Sequence, residues 1–546
     1  MQRAVIFGVT LILAVSSTMT SASADDFVRA LQTKAIEDGQ APWGYWGTTP
    51  DNYIEWGTHS NRLIPVYTFG TLGAGNGIDL KSYQGAKSPY RDATALKRLY
   101  GRTPPHSVNP QAEYFDQTNV FDIQKAALAA GKKHIFLVIF DGMDWQSTRN
   151  AAIFKTGKVA YNGGRGTGLH FLDYTANGTS QFGFFCTSPH NEGTKVDVDK
   201  QTVENPGGKL FGGYNVELGG PAPWSPGTDI KYLISKNQPA DLQHAYTDSS
   251  CSASSMTAGI KSYNGAVNVD AEGISVQTIA HIAQQQGYAV GAVSSVPISH
   301  ATPACSYAHN VDRDDYQDLT RDMLGLKSIM HPETPLPGLD VVIGTGFGDE
   351  RDKDNGQGKN FVPGNAYLTA DDLRAVDIAN GGKYVTSVRK SGVKGAVGLQ
   401  QAAEIAAKDK TRLLGFYGVG KTKHLPFRTA DGDFKPAPGR SKKAEEYLPT
   451  DLEENPTLAE MTAAGITALS SRDRFWLMVE PGDVDWANHD DNLDNSIGAV
   501  ISGDDAVKVI TNWVEKNSNW KDALVIVTAD HGHYFHLTKP EVLTGK

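Results

Sequence analysis

The chain has 546 residues, 40% of them hydrophobic and 21% charged, and a formal net charge of −10. That composition fits a globular protein with one large α/β domain or several smaller ones. The negative charge argues against a nucleic-acid binder working through a basic surface, though not against anionic substrates where metal ions supply positive charge.

The N-terminus reads as an export signal spanning residues 1–24. Arg3 opens it, an apolar run extends from Ala4 to Val15, and Ala22-Ser23-Ala24 offers a cleavage site before Asp25. The run is short for a membrane span, and no later stretch is apolar enough to cross one. The mature chain is therefore expected to be soluble, in a periplasmic or extracellular location. Three cysteines (Cys186, Cys251 and Cys305) do not make a disulfide framework. They leave room for one bridge, and Cys251 and Cys305 read as small packing residues.

Residues 25–130 show little periodicity and many aromatic and turn residues, which predicts an N-terminal extension packed on the main body. The run His134–Phe140 predicts a buried parallel strand ending at Asp141. Residues 163–240, rich in Gly, Pro, Asn and Thr, predict an insertion. The hydroxyl-rich stretch Tyr246–Ser255 follows, with Gly259 placed to end a short helix. Amides at such a helix start can bind an anion, and a serine there can attack one. On its own this stretch is better explained as a capped, serine-rich loop.

A helix is expected over 275–287, and strands over 288–293, 340–344 and 412–417. Residues 418–455 read as an irregular surface insertion, and Thr457–Leu469 as an amphipathic helix with Glu460 in its first turn. Phe475–Glu480 predicts a strand with a terminal acid, 495–516 a helix, and 523–528 a last strand running into Asp530-His531. Strands alternating with helices predict an α/β fold of three layers. A mostly parallel central sheet carries helices on both faces, within a catalytic domain spanning 131–546 with long insertions.

Acidic residues and histidines gather where apolar strands end: Asp141, then Glu480 with Asp485 and His489, then Asp530 and His531, with His300 and Thr302 after another strand. Asp485 and His489, four apart, would share a helix face. Each piece alone has an ordinary explanation. Their joint placement at separate strand ends is what suggests a site for divalent ions.

These motifs resemble the alkaline phosphatase family. The resemblance rests on Phe140-Asp141-Gly142-Met143, Thr247–Ala253, Lys261–Ala266, His300-Ala301-Thr302-Pro303-Ala304, the set Glu480, Asp485 and His489, and Thr528-Ala529-Asp530-His531. They stand in the family's order across roughly 132–535. The resemblance implies a phosphomonoesterase with two zinc ions and one magnesium ion. Ser249 would be the phosphorylated nucleophile and Arg313 the phosphate clamp. Asp141, Asp530 and His531 would hold the inner zinc, Asp485 and His489 the outer zinc, and Asp141, Thr302 and Glu480 the magnesium. His300 stands where members carry Asp or His, which leaves that shell open to water or another metal.

Two departures stand out. The family's third histidine for the outer zinc lies some tens of residues beyond the Asp-His pair, so the chain is expected to be C-terminally truncated. His533 or His536 is then the substitute suspect. Trp486 falls at a variable position near the phosphate.

The partners implied are phosphate esters and inorganic phosphate, with a homodimer left open. A phosphodiesterase of the same superfamily and a phosphate-binding pseudoenzyme are the alternatives. No sulfatase motif surrounds Ser249, nor the elbow of a serine esterase.

Overall fold

A computed structural model describes residues 27–226, 229–234, 243–420 and 422–545. The segment expected to be an export signal lies outside the described residues. Ten strands form the central sheet. In chain order they are β1 (Ile64–Phe69), β2 (Phe115–Asp116), β3 (His134–Phe140), β4 (Gln181–Cys186), β5 (Ala289–Pro297), β6 (Val341–Thr345), β7 (Tyr384–Val388), β8 (Arg412–Phe416), β9 (Phe475–Glu480) and β10 (Ala523–Ala529). Across the sheet they run β7-β8-β6-β5-β9-β3-β10-β1-β4-β2. From β7 to β10 every pairing is parallel, β1 is antiparallel to both neighbours, and β2 is parallel to β4. The six strands expected from the sequence are all of this parallel block except its outer strand β7.

Helices cover both faces, as neighbouring side chains of β9 show. The Trp476 indole donates to Gln124 Oε1 at 2.8 Å, on the helix Asn119–Ala129. Leu477, pointing the other way, lies with Leu469 of the helix Leu458–Leu469 around Gly291. That second helix starts with the full capping box of Thr457 and Glu460, tighter than its sequence suggests. The central strands are buried throughout: Ile135–Phe140, Phe475–Val479 and Leu524–Val527 are all inaccessible. This explains why their sequences are unbroken apolar runs rather than alternating ones.

The residues expected to form an N-terminal extension packed on the main body contribute strands to it. β1 and β2 belong to the central sheet. Upstream of them, Gly44–Trp46 pairs with Phe535–Leu537, and His59–Ser60 pairs with Gly532–His533. The outer edge of β10 is a row of backbone donors and acceptors that needs a partner, and β1 supplies it from Val66 to Phe69. The insertion 163–240 likewise contributes β4 to the sheet.

Candidate active site

In the centre of the sheet the registers bring three strand ends together. Ala529 pairs with Phe140, so Asp141 and Asp530 emerge side by side, and Val479 pairs with Val138, which sets Glu480 beside Ile139 near the same edge. This is the carboxyl edge, where open α/β sheets place their sites. Gly142 makes the turn after Asp141 with φ +71°, and its N–H donates to Asp530 Oδ1 at 3.0 Å. Its carbonyl accepts from Asn488 Nδ2 at 3.0 Å. Asn488 belongs to the helix Asp483–His489, which carries Asp485 and His489 one turn apart as expected.

The helix Ser249–Ala258 starts at the candidate nucleophile and ends at Gly259 in the left-handed conformation. Asp248 is its N-cap and accepts from Cys251 N at 3.0 Å through Oδ1. Its Oδ2 accepts from Arg313 Nη1 at 3.0 Å, Ser250 Oγ at 2.9 Å and Gly265 N at 3.1 Å. One carboxylate thus fixes both the helix start and the guanidinium. Burial alone would raise its pKa, but the charge of Arg313 and the Cys251 amide outweigh burial and hold it below the usual range. Asp248 stands next to Ser249 in sequence, yet nothing in its residue type distinguishes this orienting role from ordinary capping.

Ser249 is buried, and its Oγ lies 3.1 Å from His531 Nε2. The same nitrogen is 3.2 Å from Asp141 Oδ1 and 3.6 Å from Asp530 Oδ2. Asp141, Asp530 and His531 form one cluster with ligating atoms within 4.8 Å of one another; His59, Asp485, His531 and His533 form another. His489 Nε2 adds to the second, 3.2 Å from His59 Nε2 and 3.4 Å from Asp485 Oδ1. Thr302 Oγ1 lies 3.4 Å from Asp141 Oδ2, and Ser294 Oγ donates to Glu480 Oε2.

His59 is the residue that sequence reasoning missed. Its Nδ1–H donates to Thr247 O at 2.8 Å and that of His489 to Gly57 O at 2.7 Å, so both Nε2 lone pairs face inward. The available signal was a histidine five residues ahead of the apolar run Ile64–Phe69, without a motif around it. Of the two suspected substitutes, His533 Nε2 sits 2.8 Å from Asp485 Oδ1, whereas His536 packs its ring on Tyr45. His300 joins neither cluster. It caps the short helix Ala301–Ala304 and meets Trp486 edge to face.

The electrostatics fit divalent cations. Burial first, then the charges of Asp485 and Glu480, push Asp141 well above the carboxylate range. Burial and Asp141 do the same to Asp530, and Glu480 is raised to about 8, mainly by burial. Asp141 Oδ1 and Glu480 Oε1 are buried without hydrogen-bond partners. Burial lowers His300 and His533 to about 3, which leaves both neutral at pH 7. Neutral imidazoles facing carboxylates that lack positive charge are a donor set suited to zinc or magnesium.

A cleft of about 440 Å³ opens over this centre, lined by His59, Ser249, His300, Arg313, Asp485, Trp486, His489 and Asp490. The cysteines take no part: all three are buried and free, with Cys305 Sγ against Ser250 O.

A family model described as "Alkaline phosphatase" matches residues 229–544. Alkaline phosphatase 3 of Bacillus subtilis (strain 168) is 28% identical over 305 residues, which covers 55% of this chain and 53% of that protein. The alkaline phosphatase of Escherichia fergusonii is 31% identical over 311 residues, covering 54% and 60%. The chain thus spans between about half and three-fifths of these relatives' length. The crystal structure of Thermus thermophilus alkaline phosphatase aligns at 20% identity with a TM-score of 0.44, covering 74% of this chain and 60% of that one.

Proposed function

This chain belongs to the alkaline phosphatase family, and we propose that it is an exported, metal-dependent enzyme that hydrolyses phosphate monoesters through a phosphate carried on Ser249. The observation that carries the reading is the place of Ser249 Oγ. It stands at the first residue of a buried helix, 3.1 Å from His531 Nε2, and lines the same cleft as Arg313.

Arg313, held by Asp248, would receive two phosphoryl oxygens. The helix start behind Ser249 favours the same negative group. Ser249 Oγ gives its proton to water and bonds to phosphorus as the bond to the ester oxygen breaks, and the departing oxygen takes a proton from water. Water next attacks phosphorus from the side the alcohol left, restoring Ser249 and releasing inorganic phosphate.

We assign Asp141, Asp530 and His531 to an inner zinc ion, Asp485, His489 and His59 to an outer one, and Asp141, Thr302 and Glu480 to magnesium. Bound there, these ions would lower the pKa of the Ser249 hydroxyl, stabilise the leaving oxygen and help activate water. His533 would hold Asp485 in place, and His300 with Trp486 would shape the wall around the leaving group.

Ser249→Ala should abolish turnover of an aryl phosphate monoester while leaving metal content unchanged. Acid quenching of the wild-type protein should trap phosphate on Ser249. Full activity in the variant would overturn the assignment. A diester hydrolysed faster than the monoester would overturn the substrate class.

A further inference from the structure

Away from the cleft, one more group of ligating side chains among the described residues brings its atoms within 4.8 Å of one another: His309, Asp322 and His331. The chemistry above uses none of them. His309 Nδ1 lies 3.0 Å from His331 Nε2, which lies 3.7 Å from Asp322 Oδ2. His309 and Asp322 are buried, and the His331 side chain is 19% exposed, so the group has one open side.

His309 and Asp322 are held in a ligand's posture. His309 Nε2–H donates to Val276 O at 2.9 Å, which leaves the Nδ1 lone pair turned towards His331. His59 and His489 are arranged in the same way, each with one ring nitrogen on a backbone carbonyl and Nε2 atoms 3.2 Å apart. Asp322 is fixed from both sides, its Oδ1 accepting from Ser328 Oγ at 2.5 Å and its Oδ2 from His309 N at 3.0 Å. Ser328 Oγ also accepts from His331 N at 3.0 Å, which ties the third ligand's backbone to the same carboxylate.

We propose that His309, Asp322 and His331 bind a single divalent first-row ion of the zinc type, with water in the remaining position. Two imidazole nitrogens and one carboxylate oxygen suit such an ion better than calcium or magnesium, which prefer oxygen ligands.

The three ligands come from three pieces of chain. His309 lies between Thr302 and Arg313, Asp322 is on the helix Tyr316–Leu324, and His331 is in the long connection from that helix to β6. The ion would clamp this connection to the segment that carries Thr302 and Arg313. It is a structural site, independent of the phosphatase reading.

The test is a crystal of the full chain grown without added metal, with anomalous difference maps across the first-row edges. Metal content is measured alongside for the wild type, His331→Ala and Asp322→Asn. A peak between His309 and His331, and one equivalent of metal lost from each variant with the peaks beside Asp530 unchanged, is the expected result. Wild-type maps with peaks beside Asp530 but none at His309, or variants that keep the full metal content, would overturn the site. Should the variants fail to fold, the wild-type map decides alone.

Discussion

His59 brings an imidazole to the cluster of Asp485 and His489, with its Nε2 3.2 Å from His489 Nε2 and 3.8 Å from Asp485 Oδ1. Its Nδ1 is committed to Thr247 O, so the Nε2 facing His489 and Asp485 has no other task among the described residues. Replacing it with alanine should remove a donor from the outer ion and leave the inner cluster of Asp141, Asp530 and His531 complete. Removing a residue that merely supports a metal ligand costs about 10–100-fold in affinity, and loss of a ligand should cost at least that. His59→Ala should therefore weaken one zinc-binding event and leave the others as in the wild type, with turnover low at limiting zinc and partly restored by excess. A zinc titration by calorimetry checks this, and a titration identical to that of the wild type would remove His59 from the site.

At the scale of elements, the turn at Gly142 couples β3, β10 and the helix Asp483–His489. A Cβ there would lie 2.9 Å from Asp485 Cα and 3.0 Å from the His533 ring, and the left-handed φ adds strain. A non-glycine residue in that conformation costs about 1–3 kcal/mol. The clash with backbone would also push Asp485 away from Asp141. Gly142→Ala should therefore lower both the unfolding midpoint and zinc affinity, whereas Gly131→Ala, also left-handed but with nothing near its Cβ, should lower stability alone. Equal zinc affinity in the two variants would show that the turn does not set the ligand spacing.

The contrast between β3 and β1 explains which elements were legible in the sequence. β3, β9 and β10 announce themselves because burial on both faces demands continuous apolar runs, and the acids at their ends follow from the fold. β1 contains Pro65, which demotes a strand reading; here Pro65 sits just outside the β10 ladder, whose last pair is Thr528 with Val66. Local pattern cannot reveal that a distant segment will pair with β10, and so it could not deliver His59 to the site. Ser249, Asp530 and His531 were legible because each sits at a helix start or strand end built by its own neighbours.

The molecule as a whole concentrates acidic groups at the carboxyl edge of its sheet, and this should be felt in its stability once metals are removed. Asp141, Asp530 and Glu480 have folded-state pKa values raised above the ordinary range. A raised value means the native state holds the proton more tightly than the unfolded state. Such groups stabilise fully below about pH 4, the unfolded carboxylate range. That contribution drains away as pH rises through the folded values, about 8 for Glu480. The histidines work in the opposite sense. His59, His300 and His533 are depressed by burial, so they destabilise as pH falls below about 6.5, the unfolded histidine value. Above pH 7 they are neutral in both states and drop out of the pH dependence. Between pH 7 and about 8.5 the chelator-treated protein should lose thermal stability while the metal-loaded protein changes little, since bound cations favour the ionised carboxylates. Melting curves at the two pH values, with and without chelator, measure the difference directly. A chelator effect of the same size at both would mean that the buried carboxylates do not carry the coupling between metal and fold.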